Sequence, residues 1–193
     1  MNNIAFIFDG QGKEFNDFGK DFYSNELEFK KFIDTYKEIF DIDKNVYQSK
    51  QEDINTEIYQ PSAFLVEMGI VHLLNKKGII AENFAGSSLG EYAALSSANY
   101  LKIEDGISIL QKRGKLMKDA LSKINSEMRA VMFLDNEVVE KIAQKYNCEV
   151  SNENSYNQVI ISGLQENIEK ASNECIEKRS KKSYKTRFSR CIP

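Results

Sequence analysis

Five consecutive apolar residues, IAFIF at 4–8, run into the turn-prone DGQG at 9–12, which predicts a short buried strand at the start of the chain. Aromatic residues then recur at helical spacing: Phe15, Phe18, Phe22, Phe29, Phe32, Tyr36 and Phe40. They predict a helical stretch over 15–41 with its aromatic side turned to the core. The polar stretch 41–57 reads as loop or short helix. Gln60-Pro61 opens a second helix in this reading, because proline has no N–H to lose at the first helical position. Its apolar positions Phe64, Met68, Val71 and Leu74 continue until Lys76-Lys77-Gly78 stops it. A strand near 83–86, a helix at 91–98 and a longer helix at 103–121 follow. In the last of these, Ile103, Ile107, Leu110, Gly114, Met117 and Leu121 share one face.

From about residue 127 the period changes. Strands are predicted at 128–134, 149–152 and 158–162 and helices at 136–146 and 165–179, with 184–188 a candidate last strand. That βαββα order suggests a small ferredoxin-like α+β unit over 125–193, behind an α/β front part over 1–124. No long linker, internal repeat or low-complexity tract separates the two.

Length and composition restrict the function classes. At 193 residues the chain is expected to form one domain or a core with an appended unit, and 41% apolar with 28% charged residues is ordinary for a soluble globular protein. Cys148, Cys175 and Cys191 are odd in number with no CxxC, so a disulfide framework is not expected and a reducing cytoplasm fits. Neither a signal-peptide apolar region nor a membrane-spanning run is present. The single histidine, His72, rules out a multi-histidine metal site. Lying inside the second helix, it reads as a structural residue. Residues 178–193 hold seven of the 26 basic residues and none of the 29 acidic ones, leaving 19 basic against 29 acidic in the first 177. So acidic a body argues against nucleic-acid binding, and the basic end reads as a solvated segment.

The chemistry concentrates in three places. Gly86-Ser87-Ser88-Leu89-Gly90 is a GxSxG set between a predicted strand and a predicted helix, the context of a nucleophile elbow. There the glycines permit a tight turn that lifts the Ser88 hydroxyl, and the Leu89 N–H would be one oxyanion donor. The alternative is a glycine-rich connection whose serine caps the next helix. Asp9-Gly10-Gln11-Gly12 follows the first strand, where the Gln11 N–H could complete an oxyanion hole; a plain turn is the alternative. Arg113 borders the apolar face of its helix, three residues after Leu110 and four before Met117. A guanidinium there suits a carboxylate, which accepts its fork in two parallel bonds. Otherwise it snorkels to water or pairs with an acid such as Glu104.

Taken in order, AFIFDGQG, EIYQPSAFLVEMG, AGSSLGEYAAL, LQKRGKLM and SNENSYNQVIISG resemble the malonyl-CoA:acyl-carrier-protein transacylases of fatty acid synthesis and the related polyketide acyltransferases. The resemblance covers roughly residues 1–163. It implies an α/β-hydrolase-like core with a parallel sheet and a ferredoxin-like subdomain. It also implies that Ser88 is the nucleophile that takes the acyl group from coenzyme A, with Gln11 and Leu89 as oxyanion donors through their backbone N–H groups. Arg113 would hold the free carboxylate of malonate, Gln60 would line the pocket, and Asn152 and Asn154 would bind substrate from the subdomain side. An acyl carrier protein is the implied partner, and no metal or redox cofactor is required.

Three departures from the family pattern stand out. Asp9 occupies the place where the GQG motif usually begins with proline, and Ser87 the place commonly held by histidine. The family's general base is a histidine in a segment resembling SGPFHS, whereas the chain closes with YKTRFSRCIP. An impaired or shortened acyltransferase is therefore expected. The alternatives are a non-catalytic module that binds acyl-CoA or carrier protein, and a serine acyl hydrolase, against which Arg113 argues.

Overall fold

The predicted first strand is β1 (Ala5–Phe8), paired in parallel with β2 (Asn83–Gly86) from Ala5 opposite Asn83 to Phe8 opposite Gly86. The structure, a computed structural model, describes residues 4–11, 19–40, 56–180 and 190–191. The chain divides into two compact units, Met1–Asp119 and Ala120–Pro193.

In the first unit, successive side chains of β1 alternate between faces, as the pleat requires. Phe8 is buried, and Phe6 packs edge-on to Phe84 with ring centroids 6.1 Å apart. Ile7 points the other way and is 78% exposed. The IAFIF run is thus buried on one face only, not throughout as its composition suggested.

The aromatic stretch forms two helices instead of one, α1 (Lys20–Asn25) and α2 (Leu27–Phe40). Glu26 breaks them with extended backbone (φ −117°, ψ 102°), its N–H donating to the Phe22 carbonyl. Phe29 and Ile33 are the buried positions of α2; Phe15, Phe18 and most of the 41–57 stretch lie outside the described residues. The next helix, α3 (Thr56–Lys76), begins four residues before Gln60, so Pro61 lies inside the helix and not at its start. A proline this close to the start sacrifices one intrahelical bond, and burial compensates: α3 is buried nearly all round, including Phe64, Leu65 and Val66. His72 stacks on Phe32 with centroids 5.1 Å apart, a structural placement. After β2 come α4 (Gly90–Ser97) and α5 (Ile103–Leu121). On the predicted face of α5, Ile107, Leu110 and Gly114 are buried and Met117 is half-buried.

The second unit contains β3 (Ser126–Met132), α6 (Asn136–Lys145), β4 (Glu149–Ser155), β5 (Gln158–Leu164), α7 (Gln165–Ser180) and β6 (Arg190–Cys191). The sheet order is β4-β5-β3-β6 with every pair antiparallel, which is the expected ferredoxin-like arrangement. Val131, Val139, Ile142, Ile161 and Ile168 build its core, with Cys148 and Cys175 buried among them as free thiols. Burial raises the Cys148 thiol above its ordinary value and pushes that of Cys175 to about 12. The last strand falls at 190–191; the proposed strand at 184–188 lies outside the described residues, as does most of the basic end.

Candidate active site

Backbone close approach builds the turn after β2. A Cβ on Gly86 would lie 2.1 Å from the Gly90 carbonyl oxygen, and one on Gly90 would lie 2.4 Å from that of Phe8. No side chain fits at either position, so the sequence can fold β2 back over the end of β1 only with glycine at both. Between them Ser88 takes φ 53°, a left-handed conformation that costs a non-glycine residue about 1–3 kcal/mol. The Ser88 N–H donates to Glu91 Oε1 at 3.0 Å, the reach-back half of a capping box. Gly90, Glu91 and Tyr92 donate to the carbonyls of Ser87, Ser88 and Leu89. The Leu89 N–H stands outside that set, while its side chain is buried and anchors the turn.

Ser88 does not cap α4 with its hydroxyl, and that helix starts without a side-chain cap bond. Exposed at the turn, Ser88 Oγ instead accepts a hydrogen bond from Arg113 Nη2 at 2.9 Å. Arg113 neither snorkels free nor pairs with Glu104. Its Nη1 donates to Gln60 Oε1 at 2.5 Å, and its guanidinium carbon lies 5.9 Å from the Tyr92 ring centroid. Gln60 is completely buried and fully engaged, its Nε2 donating to Thr56 Oγ1 at 3.0 Å and to Met117 Sδ at 3.2 Å. Thr56 Oγ1 in turn donates to Gln11 Oε1 at 3.3 Å. Because a guanidinium can only donate, the orientation of the Gln60 amide is fixed: donation runs from Arg113 through Gln60 and Thr56 to Gln11, and in the other direction from Arg113 to Ser88. The loop after β1 also touches the elbow: a Cβ on Gly10 would lie 3.0 Å from the Ser87 carbonyl oxygen.

A buried carboxyl sits on the same helix, α3. Glu67, two turns beyond Gln60, has a buried Oε2 with no hydrogen-bond partner among the described residues. Burial first, and the negative charge of Asp9 second, push its carboxyl up to about 8.

The first unit therefore brings together Gln11, Gln60, Ser88, Leu89 and Arg113. Asn152 and Asn154 lie on β4 of the second unit, both exposed, with Asn154 Nδ2 donating to Gln158 Oε1 at 2.9 Å. Sequence reasoning missed Thr56, Tyr92 and Glu67. Thr56 sits one helical turn before Gln60, but starting the helix at Gln60 hid that spacing; Glu67 is marked by an acid inside the apolar run FLVEMGIV. Among the described residues, no three His, Cys, Asp or Glu side chains are placed to hold a metal, and no helix is long and apolar enough to cross a membrane.

Comparison with known proteins gives a consistent set. A family described as the acyl transferase domain matches residues 5–186. The malonyl CoA-acyl carrier protein transacylase of Bacillus subtilis is 29% identical over 191 residues, covering 95% of this chain and 60% of its relative. Among solved structures, the transacylase of that name from Clostridium perfringens superposes with a TM-score of 0.83 at 31% identity, covering 97% of this chain and 60% of the other. A malonyl-transacylase in complex with its type II polyketide acyl-carrier protein superposes with a TM-score of 0.83 at 26% identity, covering 90% and 59%. The chain thus spans about 60% of the length of the relatives it matches.

Proposed function

The chain belongs to the acyl transferase domain family, and from that premise we propose that its site moves a malonyl group from malonyl-CoA to the phosphopantetheine thiol of an acyl carrier protein. Ser88 Oγ attacks the thioester carbonyl and coenzyme A leaves as the thiol, giving malonyl-Ser88. The carrier thiol then attacks that ester and Ser88 is released. The Leu89 and Gln11 N–H groups stabilise the oxyanion at each tetrahedral stage. Arg113 holds the free carboxylate of the acyl group, and Gln60 holds Arg113. Asn152 and Asn154 are assigned to substrate binding on the family resemblance alone. Exchange of one thioester for another through an ester involves no change of oxidation state, so no redox group enters the steps.

The observation that carries this reading is the Arg113 guanidinium lying 2.9 Å from Ser88 Oγ, pinned from behind by a buried glutamine. A plain ester hydrolase has no use for a fixed cation against its nucleophile, whereas a malonyl thioester presents a carboxylate one methylene from the carbonyl under attack. Transfer to a holo carrier protein tests it: malonyl carrier protein is expected from malonyl-CoA, with acetyl-CoA a much poorer donor. Equal transfer of both acyl groups would remove Arg113 from its role.

A binding module without turnover is the second reading, and one observation favours it. The side chain bonded to Ser88 Oγ is a donor and cannot take the serine proton, and His72 is stacked on Phe32. General-base help typically contributes about 10²–10⁴-fold, and among the described residues no base is bonded to Ser88 Oγ.

A further inference from the structure

We infer that the contact between Arg113 and Ser88 is a specificity latch: in the resting site Arg113 occupies the nucleophile, and only an acyl group carrying its own carboxylate draws the guanidinium away. This rests on the reading of Ser88 as nucleophile and Arg113 as carboxylate clamp, and adds to it a reason why the carboxylate governs reaction as well as binding.

Both terminal nitrogens of the guanidinium already donate one hydrogen bond each. Nη1 is bonded to Gln60 Oε1 at 2.5 Å and Nη2 to Ser88 Oγ at 2.9 Å. Gln60 cannot follow a moving guanidinium, because it is completely buried and its own amide is held by Thr56 and Met117. A carboxylate that accepts from Arg113 in the two-pronged geometry draws the guanidinium toward itself and so competes with Ser88 for Nη2, while the Gln60 bond acts as the pivot. The competition is unequal, since a carboxylate carries a full opposite charge and can accept two parallel N–H bonds, whereas the serine hydroxyl is neutral and takes one. Once Nη2 turns to the carboxylate, the Ser88 lone pair it had engaged is free to attack. An acetyl group offers nothing to take Nη2, so the hydroxyl stays engaged. The carboxylate thus acts twice, as the handle that is bound and as the key that frees the nucleophile.

Free malonate tests this without any need for turnover. If Ser88 competes for Arg113, Ser88→Ala should bind malonate more tightly than the unmodified chain, by about threefold to tenfold for one lost competing hydrogen bond. Isothermal calorimetry reads the difference, with circular dichroism showing that the variants are folded. Arg113→Ala should lose the binding. Equal or weaker binding by Ser88→Ala, with Arg113 still required, would overturn the latch and leave the clamp standing. Malonate binding that ignores Arg113 would overturn the clamp and the latch together. Formate supplies an independent arm, being the carboxylate that malonyl has and acetyl lacks. It should speed acetylation of Ser88 by acetyl-CoA severalfold, while chloride at equal ionic strength does not. Unchanged or slowed acetylation in formate would contradict the latch.

Discussion

The two units solve opposite problems. The second is a four-stranded antiparallel sheet with two helices whose pairing is continuous from Ser126 opposite Leu164 to Met132 opposite Gln158. Its interior is mainly apolar, with two buried thiols and the buried Ser172 hydroxyl, and Phe133 and Asn147 take positive φ at its connections. What distinguishes the first unit is that its strained turn and its polar side chains meet at one place. It has a two-stranded parallel sheet, a serine at φ 53°, a turn closed by two irreplaceable glycines and a buried glutamine at the centre of a polar chain. Regularity is what a scaffold needs, whereas a site must hold several polar groups against each other at some energetic cost.

The sharpest way to break that contrast is to put a methyl group into each unit. Gly86→Ala must displace backbone that lies 2.1 Å from its Cβ, and should destabilise the first unit by about 4 kcal/mol or more. Gly163→Ala in the second meets Cys148 Sγ at 3.2 Å, a side-chain sulfur that can give a few tenths of an ångström, and should cost about 1 kcal/mol or less. Urea denaturation of both variants checks the difference.

One carboxyl in each unit gives a pH dependence of opposite sign. Glu67 in the first holds its proton to about 8. Its folded value exceeds the unfolded one, so unfolding releases a proton and stability falls as pH rises from about 4.5 to 8. Glu67→Gln should flatten that fall and add about 2–4 kcal/mol at pH 9. In the second unit Glu174 is held below its ordinary value by hydrogen bonds from Lys145 and Tyr146. Its contribution is present above the unfolded value and lost as pH falls through the folded one. Urea midpoints measured from pH 4 to 9 on the chain and on Glu67→Gln resolve the two trends.

Smaller effects probe the polar chain of the first unit. Arg113→Ala removes one charge-assisted interaction with the acyl carboxylate and should lower the rate of malonylation about 10–100-fold, while acetylation by acetyl-CoA, no longer held back by the Arg113 contact to Ser88, should rise about threefold to tenfold. Thr56→Val cuts the link between Gln11 and Gln60 and should lower it only about threefold to tenfold, with Thr56→Ser restoring the rate. A Thr56→Val effect that Ser does not rescue would assign Thr56 to helix stability instead.

How far each unit could be read from the sequence follows the same division. In the second, alternating residues such as Val131, Val159 and Ile161 and the apolar positions of α6 announce the βαββα order directly. In the first, GSSLG between a strand and a helix marks the tight turn, and Arg113 on the edge of an apolar face marks the proposed clamp. The link between them was not legible, because it joins Gln11, Thr56, Gln60 and Arg113 across positions far apart in the chain. The early start of α3 also hid the one-turn spacing of Thr56 and Gln60. Ile7 was misjudged for a related reason: an apolar run does not say how many of its faces are covered.

The central claim is that Ser88 accepts a malonyl group under the control of Arg113. Intact-mass measurement after incubation with malonyl-CoA tests it most directly. One malonyl adduct is expected on the chain, absent from Ser88→Ala and strongly reduced in Arg113→Ala. A chain that binds malonyl-CoA yet forms no adduct, or an adduct that persists in Ser88→Ala, would contradict the account.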